Sequence, residues 1–220
     1  GELKDLQNAT IEDVRSFYEN WYGPNNATMV IAGDFKNSQV KKWVEKYFGE
    51  IKRGPDNPDP KPQPISLSET KKVYHEDNFA RSPQLAMAFP TVDQQHFDSA
   101  ALELLSQLLG DGKKAPLYKV IVEEQKLAPS VYAYSRPQEV AGTFNVVATG
   151  FPTTNLTNAE NAIHEAFTRF ESDGFTAEDL DRLKAKYETS FYQGISSVLG
   201  KGFQLAYYNE YYGSPDAIAT

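Results

Sequence analysis

The chain has 220 residues, a formal net charge of −8, 40% hydrophobic residues and no cysteine. The length and apolar content allow one large α+β domain or two small ones with a sizeable core. The acidic balance argues against a nucleic-acid-binding surface, the missing cysteines exclude a thiolate metal site, and no apolar run approaches the length of a membrane span.

The first part of the chain predicts a helix, a sharp turn and a buried strand. Thr10 and Asp13 form the pattern of a capping box, and apolar side chains then recur at helical spacing. The sequence Gly-Pro-Asn-Asn at 23–26 ends the helix, because proline disfavours helix at the preceding residue. The apolar run at 28–32 predicts a strand buried on both faces.

Residues 37–48 predict a second amphipathic helix. Its apolar face consists of Val40, Trp43, Val44 and Tyr47. The prolines of segment 54–64 cannot donate ladder hydrogen bonds, so this segment predicts an extended internal linker. Strands are expected at 71–75 and 84–89.

Residues 97–109 predict the clearest core helix. Its apolar positions are Phe97, Ala100, Ala101, Leu104, Leu105 and Leu108. The following Gly110-Asp111-Gly112 lacks the spacing and the Gly-Lys-Ser/Thr ending of a phosphate-binding loop, so it predicts a helix stop and a turn. A further helix is expected at 116–125, and an antiparallel strand pair at 130–135 and 143–149.

The last third of the chain predicts two long helices, at 157–172 and 176–198. Thr176 and Asp179 form the pattern of another capping box, and 200–211 continues helical or nearly so. This end carries a cluster of aromatic residues, Phe203, Tyr207, Tyr208, Tyr211 and Tyr212. The cluster is either a partner-facing patch or, as we prefer, a core-packing helix end.

Several motifs occur in an order and spacing typical of one peptidase family, and together they cover nearly the whole chain. They are TIEDVRSFYENWYGPNNATMVIAGDF at 10–35, VEKYFG at 44–49, LLGDG at 108–112 with LYK at 117–119, GTF at 142–144 and LKAK at 183–186. The chain therefore resembles the insulinase/pitrilysin-type zinc peptidases, or inverzincins, whose active centre is the motif H-x-x-E-H. The resemblance implies an α+β fold with an antiparallel or mixed sheet and helices packed mainly on one face.

The zinc motif itself is absent from this chain. None of the three histidines, His75, His96 and His164, lies in H-x-x-E-H, and no two are spaced as a helical metal pair. His164 could share a helix face with Glu160, but one His and one Glu are too few for a catalytic zinc site. We therefore predict no catalytic, cofactor-binding or metal-binding residue.

A second family feature is also missing. In one half of the resembled peptidases, an Arg on the helix at 116–125 and a Tyr seven residues later hold the substrate. Val122 and Pro129 occupy these positions here. Val122 has no charge or donor, and Pro129 has neither a hydroxyl nor a backbone N–H, so no substrate-binding residue is predicted there. This pattern resembles the second, non-zinc domain of the zinc-bearing half.

The resemblance implies a non-catalytic structural and substrate-chamber domain of a zinc-dependent endopeptidase acting on peptides. Residues 1–220 would be a single inactive peptidase-type domain, an excised fragment of a larger protein. Its partners would be a preceding zinc-bearing domain and the opposite half of a clamshell. An exported or periplasmic bacterial location fits similar proteins.

Two alternatives stay open. One is a non-catalytic partner subunit, a binding or scaffold protein related to processing-peptidase or respiratory core subunits. The other is an unrelated α+β domain that only mimics the pattern.

Overall fold

A computed structural model describes residues 2–219 of the chain. The internal contacts divide the chain into two compact units. The sheet unit comprises residues 60–189, and the helical unit comprises the residues up to Asp59 and from Ser190 onward. The division at 59/60 falls within the proline-rich segment 54–64.

The sheet unit contains an antiparallel sheet of three strands: β1 (Gln84–Thr91), β2 (Ser130–Arg136) and β3 (Gly142–Thr149). The strand order is β1-β3-β2, so β3 is central and pairs with both neighbours. The predicted strands at 84–89, 130–135 and 143–149 are therefore confirmed, each with small extensions. Antiparallel pairing of β2 and β3 is also confirmed.

One face of this sheet carries the core. Because side chains alternate along a strand, β3 buries Gly142, Phe144, Val146 and Ala148 and leaves the residues between them half-exposed. Three helical segments contribute to the core on this face: α4 (Ser99–Gly110), a π-helix (Tyr118–Glu124) and α5 (Leu156–Asp173). Their buried apolar residues are Leu109, Val120, Ile121, Ala162, Ile163 and Ala166. The predicted α+β class, with helices mainly on one face, is confirmed.

The helix α4 differs from its prediction at its start and in its buried face. It begins at Ser99, after a turn in which the Ser99 amide donates to the His96 carbonyl at 3.0 Å. Phe97 therefore lies outside the helix and is 93% exposed, so its assignment to the core was wrong. The side that packs on the core carries Leu102, Leu105 and Leu109. Of these three, Leu105 belongs to the predicted apolar row, whereas Leu102 and Leu109 do not.

The two long helices are confirmed, with one break. Asn155 caps α5 by accepting from the amides of Thr157 and Asn158, and Gly174, with φ of 67°, follows the helix. The next helix, α6 (Ala177–Gly194), follows the predicted capping box of Thr176 and Asp179. It ends before the predicted residue 198, and a separate helix, α7 (Val198–Tyr212), begins after it.

Three further α-helices lie in the helical unit: α1 (Leu3–Asn8), α2 (Ile11–Trp21) and α3 (Asn37–Phe48). Short 3-10 helices occupy Pro24–Asn26 and Pro215–Ala219. The Thr10–Asp13 capping box of α2 is present, and α3 has the predicted limits. Their apolar faces are largely exposed, however, with Phe17 at 58% and Trp43 at 51%.

Two predicted strands are not formed. Residues 28–32 and 71–75 have no strand structure, and their apolar side chains are exposed, such as Met29 at 52% and Val73 at 78%. An apolar run becomes a strand only where a neighbour can accept its ladder hydrogen bonds. Residues 28–32 instead lie beside α7, where Asn209 donates to the Thr28 hydroxyl at 2.9 Å. In 71–75, Lys72 forms an ion pair with Glu160 of α5 at 2.7 Å.

The aromatic cluster of α7 packs largely on itself. The ring centroids of Tyr207 and Tyr211 are 4.9 Å apart, and those of Tyr208 and Tyr212 are 5.3 Å apart. Phe203 is 69% exposed and Tyr207 is 41% exposed, so the core-packing interpretation is wrong for both. Within residues 2–219, none of the helices is long and apolar enough to span a bilayer.

A glycine sets the distance between α4 and the sheet. A Cβ on Gly110 would lie 2.7 Å from the backbone nitrogen of Ala133 in β2. Since backbone cannot yield as a flexible side chain can, only glycine allows this approach. The first glycine of Leu-Leu-Gly-Asp-Gly is thus a packing residue, whereas the second, Gly112, has the positive φ of 84° that a turn favours.

We expect Gly110→Ala to destabilise the chain by about 1–3 kcal/mol, the usual cost of overpacking a core contact. The measurement is urea unfolding followed by circular dichroism. The matched control is Gly194→Ala at the end of α6, where an added Cβ meets no atom within 4 Å. The control should be neutral or stabilising by up to about 1 kcal/mol. Equal stability of the Gly110→Ala variant and the parent would contradict the packing role.

Candidate functional site

The face of the sheet opposite the helices presents an ordered array of accessible side chains. Strand alternation places twelve residues on it, in four rows that each cross β1, β3 and β2. The rows are Gln84, Thr149 and Ser130; Ala86, Val147 and Tyr132; Ala88, Asn145 and Tyr134; Pro90, Thr143 and Arg136. We call these twelve residues the open face. All of them are exposed or half-buried.

The open face combines two exposed aromatic rings with hydroxyl and amide groups. Tyr132 is 52% exposed and Tyr134 is 44% exposed. The Tyr132 hydroxyl lies 3.1 Å from the Ser130 hydroxyl. Two side-chain amides are held by hydroxyl groups of the same face: Asn145 donates to the Thr143 hydroxyl at 3.0 Å, and Gln84 donates to the Thr149 hydroxyl at 3.1 Å. These contacts orient polar groups across the face.

The charge pattern of the open face is simple. Its only ionised side chain is Arg136, and its twelve residues include no Asp, Glu, Lys or His. The twelve residues contain hydroxyl groups of Ser, Thr and Tyr but no carboxylate or imidazole that could act as their general base. The open face therefore presents groups suited to binding a ligand by contact.

The two positions that align with the family's substrate-binding pair lie away from the open face. Val122 is in the π-helix, half-buried and packed against the core. Pro129 is exposed and comes directly before β2. Neither side chain can donate a hydrogen bond. Their correspondence to the Arg and Tyr of the resembled peptidases remains a prediction.

The three histidines are exposed and have separate surroundings. The His96 ring accepts a hydrogen bond from the Asp98 amide at 3.1 Å, and the His164 ring lies 6.3 Å from that of Phe167. Glu160, the one carboxylate considered with His164, is held by Lys72 at 2.7 Å, and this hydrogen bond lowers the pKa of Glu160. Over residues 2–219 no three metal-ligating side chains lie together. The residues described do not fit a zinc site.

A polar contact that the sequence analysis missed fastens the π-helix to α5. The guanidinium of Arg169 lies 2.8 Å from Glu124 and 2.5 Å from Glu165. The hydrogen bond to Glu124, followed by that to Glu165, raises the pKa of Arg169, and Arg169 in turn lowers the pKa of Glu124. The spacing of Glu165 and Arg169 on one helix was a usable signal, but no local pattern pointed to Glu124.

The backbone of this segment is unusual as well. The amide of Gln125 donates to the Val120 carbonyl at 3.0 Å, five residues back, as in a π-helix. Lys126 follows with a positive φ of 51°. The predicted helix at 116–125 therefore forms, but it is wider than an α-helix over Tyr118–Glu124. Val120 and Ile121 of this turn are fully buried under the sheet.

The model of one family, described as the peptidase M16 inactive domain, matches residues 8–187. The chain belongs to the peptidase M16 family, as its inactive domain. This confirms the resemblance to the inverzincin-type peptidases that the sequence motifs indicate.

Individual relatives agree with this assignment. The chain is 26% identical to the zinc protease PqqE of Helicobacter pylori over 200 residues, which is 90% of this chain and 45% of that protein. It superimposes on the crystal structure of a protease from Helicobacter pylori with a TM-score of 0.80 at 24% identity, covering 96% of this chain and 52% of the other.

A third likeness is to a chain of Complex III2 from Candida albicans, with a TM-score of 0.70 at 14% identity, over 97% of this chain and 52% of that one. At such identities the structural likenesses show the fold. The chain spans about half the length of each of these three proteins.

We expect Arg169→Met to loosen the π-helix, because it removes both carboxylate contacts. The measurement is amide hydrogen exchange at 118–124, which should become faster. The effect should be present at neutral pH and fade in acid, since Glu124 has a lowered pKa in the folded chain and its contribution is lost as the pH falls through that pKa.

The control for this change is Arg182→Met on α6, whose guanidinium lies 3.9 Å from Asp179 and makes a weaker exposed pair. It should leave exchange at 118–124 unchanged. Equal exchange in the two variants would show that Arg169 does not hold the π-helix.

Proposed function

We propose that this chain is a non-catalytic domain that supports and lines the substrate chamber of a zinc-dependent endopeptidase acting on peptides. The observation that carries the proposal is the combination of membership in the M16 inactive-domain family with an open sheet face that has no catalytic group. A wall of this kind contacts a peptide and leaves the chemistry to another domain.

The zinc ligands of this enzyme would lie in a preceding domain, in an H-x-x-E-H motif with a more distant Glu. Support comes from the names of relatives, such as the zinc protease PqqE of Helicobacter pylori. Zinc bound there would supply a Lewis acid that activates water. The present chain would contribute shape, contact and stability.

We place the domain in the zinc-bearing half of a two-half clamshell. The support is the pair Val122 and Pro129, since the half that provides substrate-holding Arg and Tyr side chains would not carry these residues there. Its partners would then be the preceding zinc-bearing domain and the opposite half. We also propose that residues 1–220 act as one peptidase-type domain with 54–64 as an internal linker, because the family match runs through both units.

The sheet unit suits such a wall because its two faces have separate tasks. The helical side holds fully buried apolar residues, including Leu117, Ile121 and Ile163. Each such side chain stabilises the unit by about 1.5–3 kcal/mol on burial. The open face adds little to this core, so its side chains are available for a ligand.

A second candidate is a non-catalytic partner subunit of an assembly. The observation that favours it is the fold shared with a chain of Complex III2 from Candida albicans. The same fold thus occurs in a chain of Complex III2, so the activity of the complete protein decides between the two candidate functions.

The test compares the isolated 220-residue chain with the complete product of its gene. Each is purified, its bound zinc is measured by atomic emission, and cleavage of an unfolded peptide is followed by mass spectrometry. The complete protein should hold zinc and cleave in a chelator-sensitive way, while the isolated chain should do neither.

Two other results have clear meanings. Chelator-sensitive cleavage by the isolated chain would refute the non-catalytic role. A complete protein without zinc and without cleavage would favour the partner subunit.

A further inference from the structure

We propose that the open face binds extended peptide segments through their side chains, and that it prefers an aromatic and an acidic side chain that are two or four residues apart. This specifies the ligand of the face and rests on the proposed chamber role. The occupant is a peptide strand, and its chemistry follows from three features of the face.

The first feature is an aromatic wall along one edge of the face. Tyr132 and Tyr134 stand on the outer strand β2, whereas the residues in the same rows on β1 are Ala86 and Ala88. The face therefore carries large rings on the β2 side and only methyl groups on the β1 side, with Val147 and Asn145 of the central strand between them. An apolar or aromatic side chain laid beside the rings would contact the tyrosines, a favourable arrangement for aromatic pairs.

The second feature is the position of the charge. Arg136 follows Tyr134 by two residues and Tyr132 by four on the same side of β2. At roughly 3.4 Å per residue, its Cα lies about 7 and 14 Å from those of the tyrosines. An extended peptide has the same rise and the same alternation of side chains, so an acidic side chain two or four residues away from the aromatic one would lie on the same side and reach the guanidinium.

The third feature is the absence of competing charge on the face. Although the chain carries 30 acidic residues, none of them occupies the twelve positions of the open face. An acidic peptide side chain therefore meets only the cation of Arg136, and a lysine at that place would meet a like charge. Charge complementarity of this kind acts mainly on selectivity.

Side chains rather than backbone must make these contacts. The central strand β3 pairs with neighbours on both sides, so its amides and carbonyls are engaged in the sheet. What the face offers above β3 is Thr143, Asn145, Val147 and Thr149. Asn145 and Thr143 are already oriented toward each other at 3.0 Å and present fixed polar groups to a ligand.

The test uses the full 220-residue chain and three fluorescein-labelled peptides that differ at one position each. The first is Ser-Phe-Thr-Glu-Thr-Ser, in which Phe and Glu are two residues apart and share one side of an extended strand; the second has Lys for Glu, and the third has Ala for Phe. Fluorescence anisotropy gives their affinities, and NMR shift changes show where they bind. The first peptide should bind tightest, with shifts confined to the open face.

The variant Tyr132→Thr/Tyr134→Thr should weaken the first peptide by about tenfold, the scale of a lost aromatic contact. Tyr132→Phe/Tyr134→Phe should retain binding, which separates loss of the rings from loss of folding. The matched control is Tyr74→Thr, an 83% exposed tyrosine of the sheet unit outside the open face, and it should bind like the parent. Arg136→Gln should abolish the preference for Glu over Lys.

The inference is overturned if the three peptides bind equally, if the threonine pair has no effect, or if the shifts map to strand edges. It is also overturned if the face is occupied by a second copy of the chain, seen as concentration-dependent shifts without peptide. Peptide binding to the open face is measured without catalysis, so this inference can fail while the complete protein still cleaves peptides with zinc. The inference can also hold if the complete protein has no zinc.

Discussion

The structure of the sheet unit depends on the burial of one face of a three-stranded antiparallel sheet. Burial alternates strictly along β3, with Phe144, Val146 and Ala148 inside, so this face packs against the helices. Gly110 lets α4 approach β2, and Arg169 fastens the π-helix to α5 within the helical layer. Since the period of a strand is two, the same alternation turns the remaining residues to the opposite side.

Under the proposed chamber role, this separation of faces lets the domain contribute contact without chemistry. The residues that would make a site catalytic are absent from the open face, and the exposed histidines are dispersed. What the fold provides is a rigid, polar and partly aromatic surface. Such a surface fits a domain that contacts a peptide while a neighbour cleaves it.

The parts of the structure governed by local rules were predictable from the sequence. The capping boxes at Thr10 and Thr176, the limits of α3 and the β2–β3 pair follow from side-chain chemistry and periodicity within a few residues. The strand prediction for 28–32 failed because composition cannot supply a pairing partner. The Phe97 prediction failed because the turn at His96 delayed the start of α4. The open face could be found only from register, which joins residues about 60 positions apart, such as Ala86 and Val147.

The most direct test of the chamber role is site-specific photo-crosslinking in the complete protein. A benzophenone-bearing amino acid can be incorporated in place of Tyr134 on the open face or of Tyr74 outside it. With an unfolded substrate peptide present, the account predicts crosslinks to the peptide from position 134 and not from position 74. Equal crosslinking from both positions, or from position 74 alone, would contradict it.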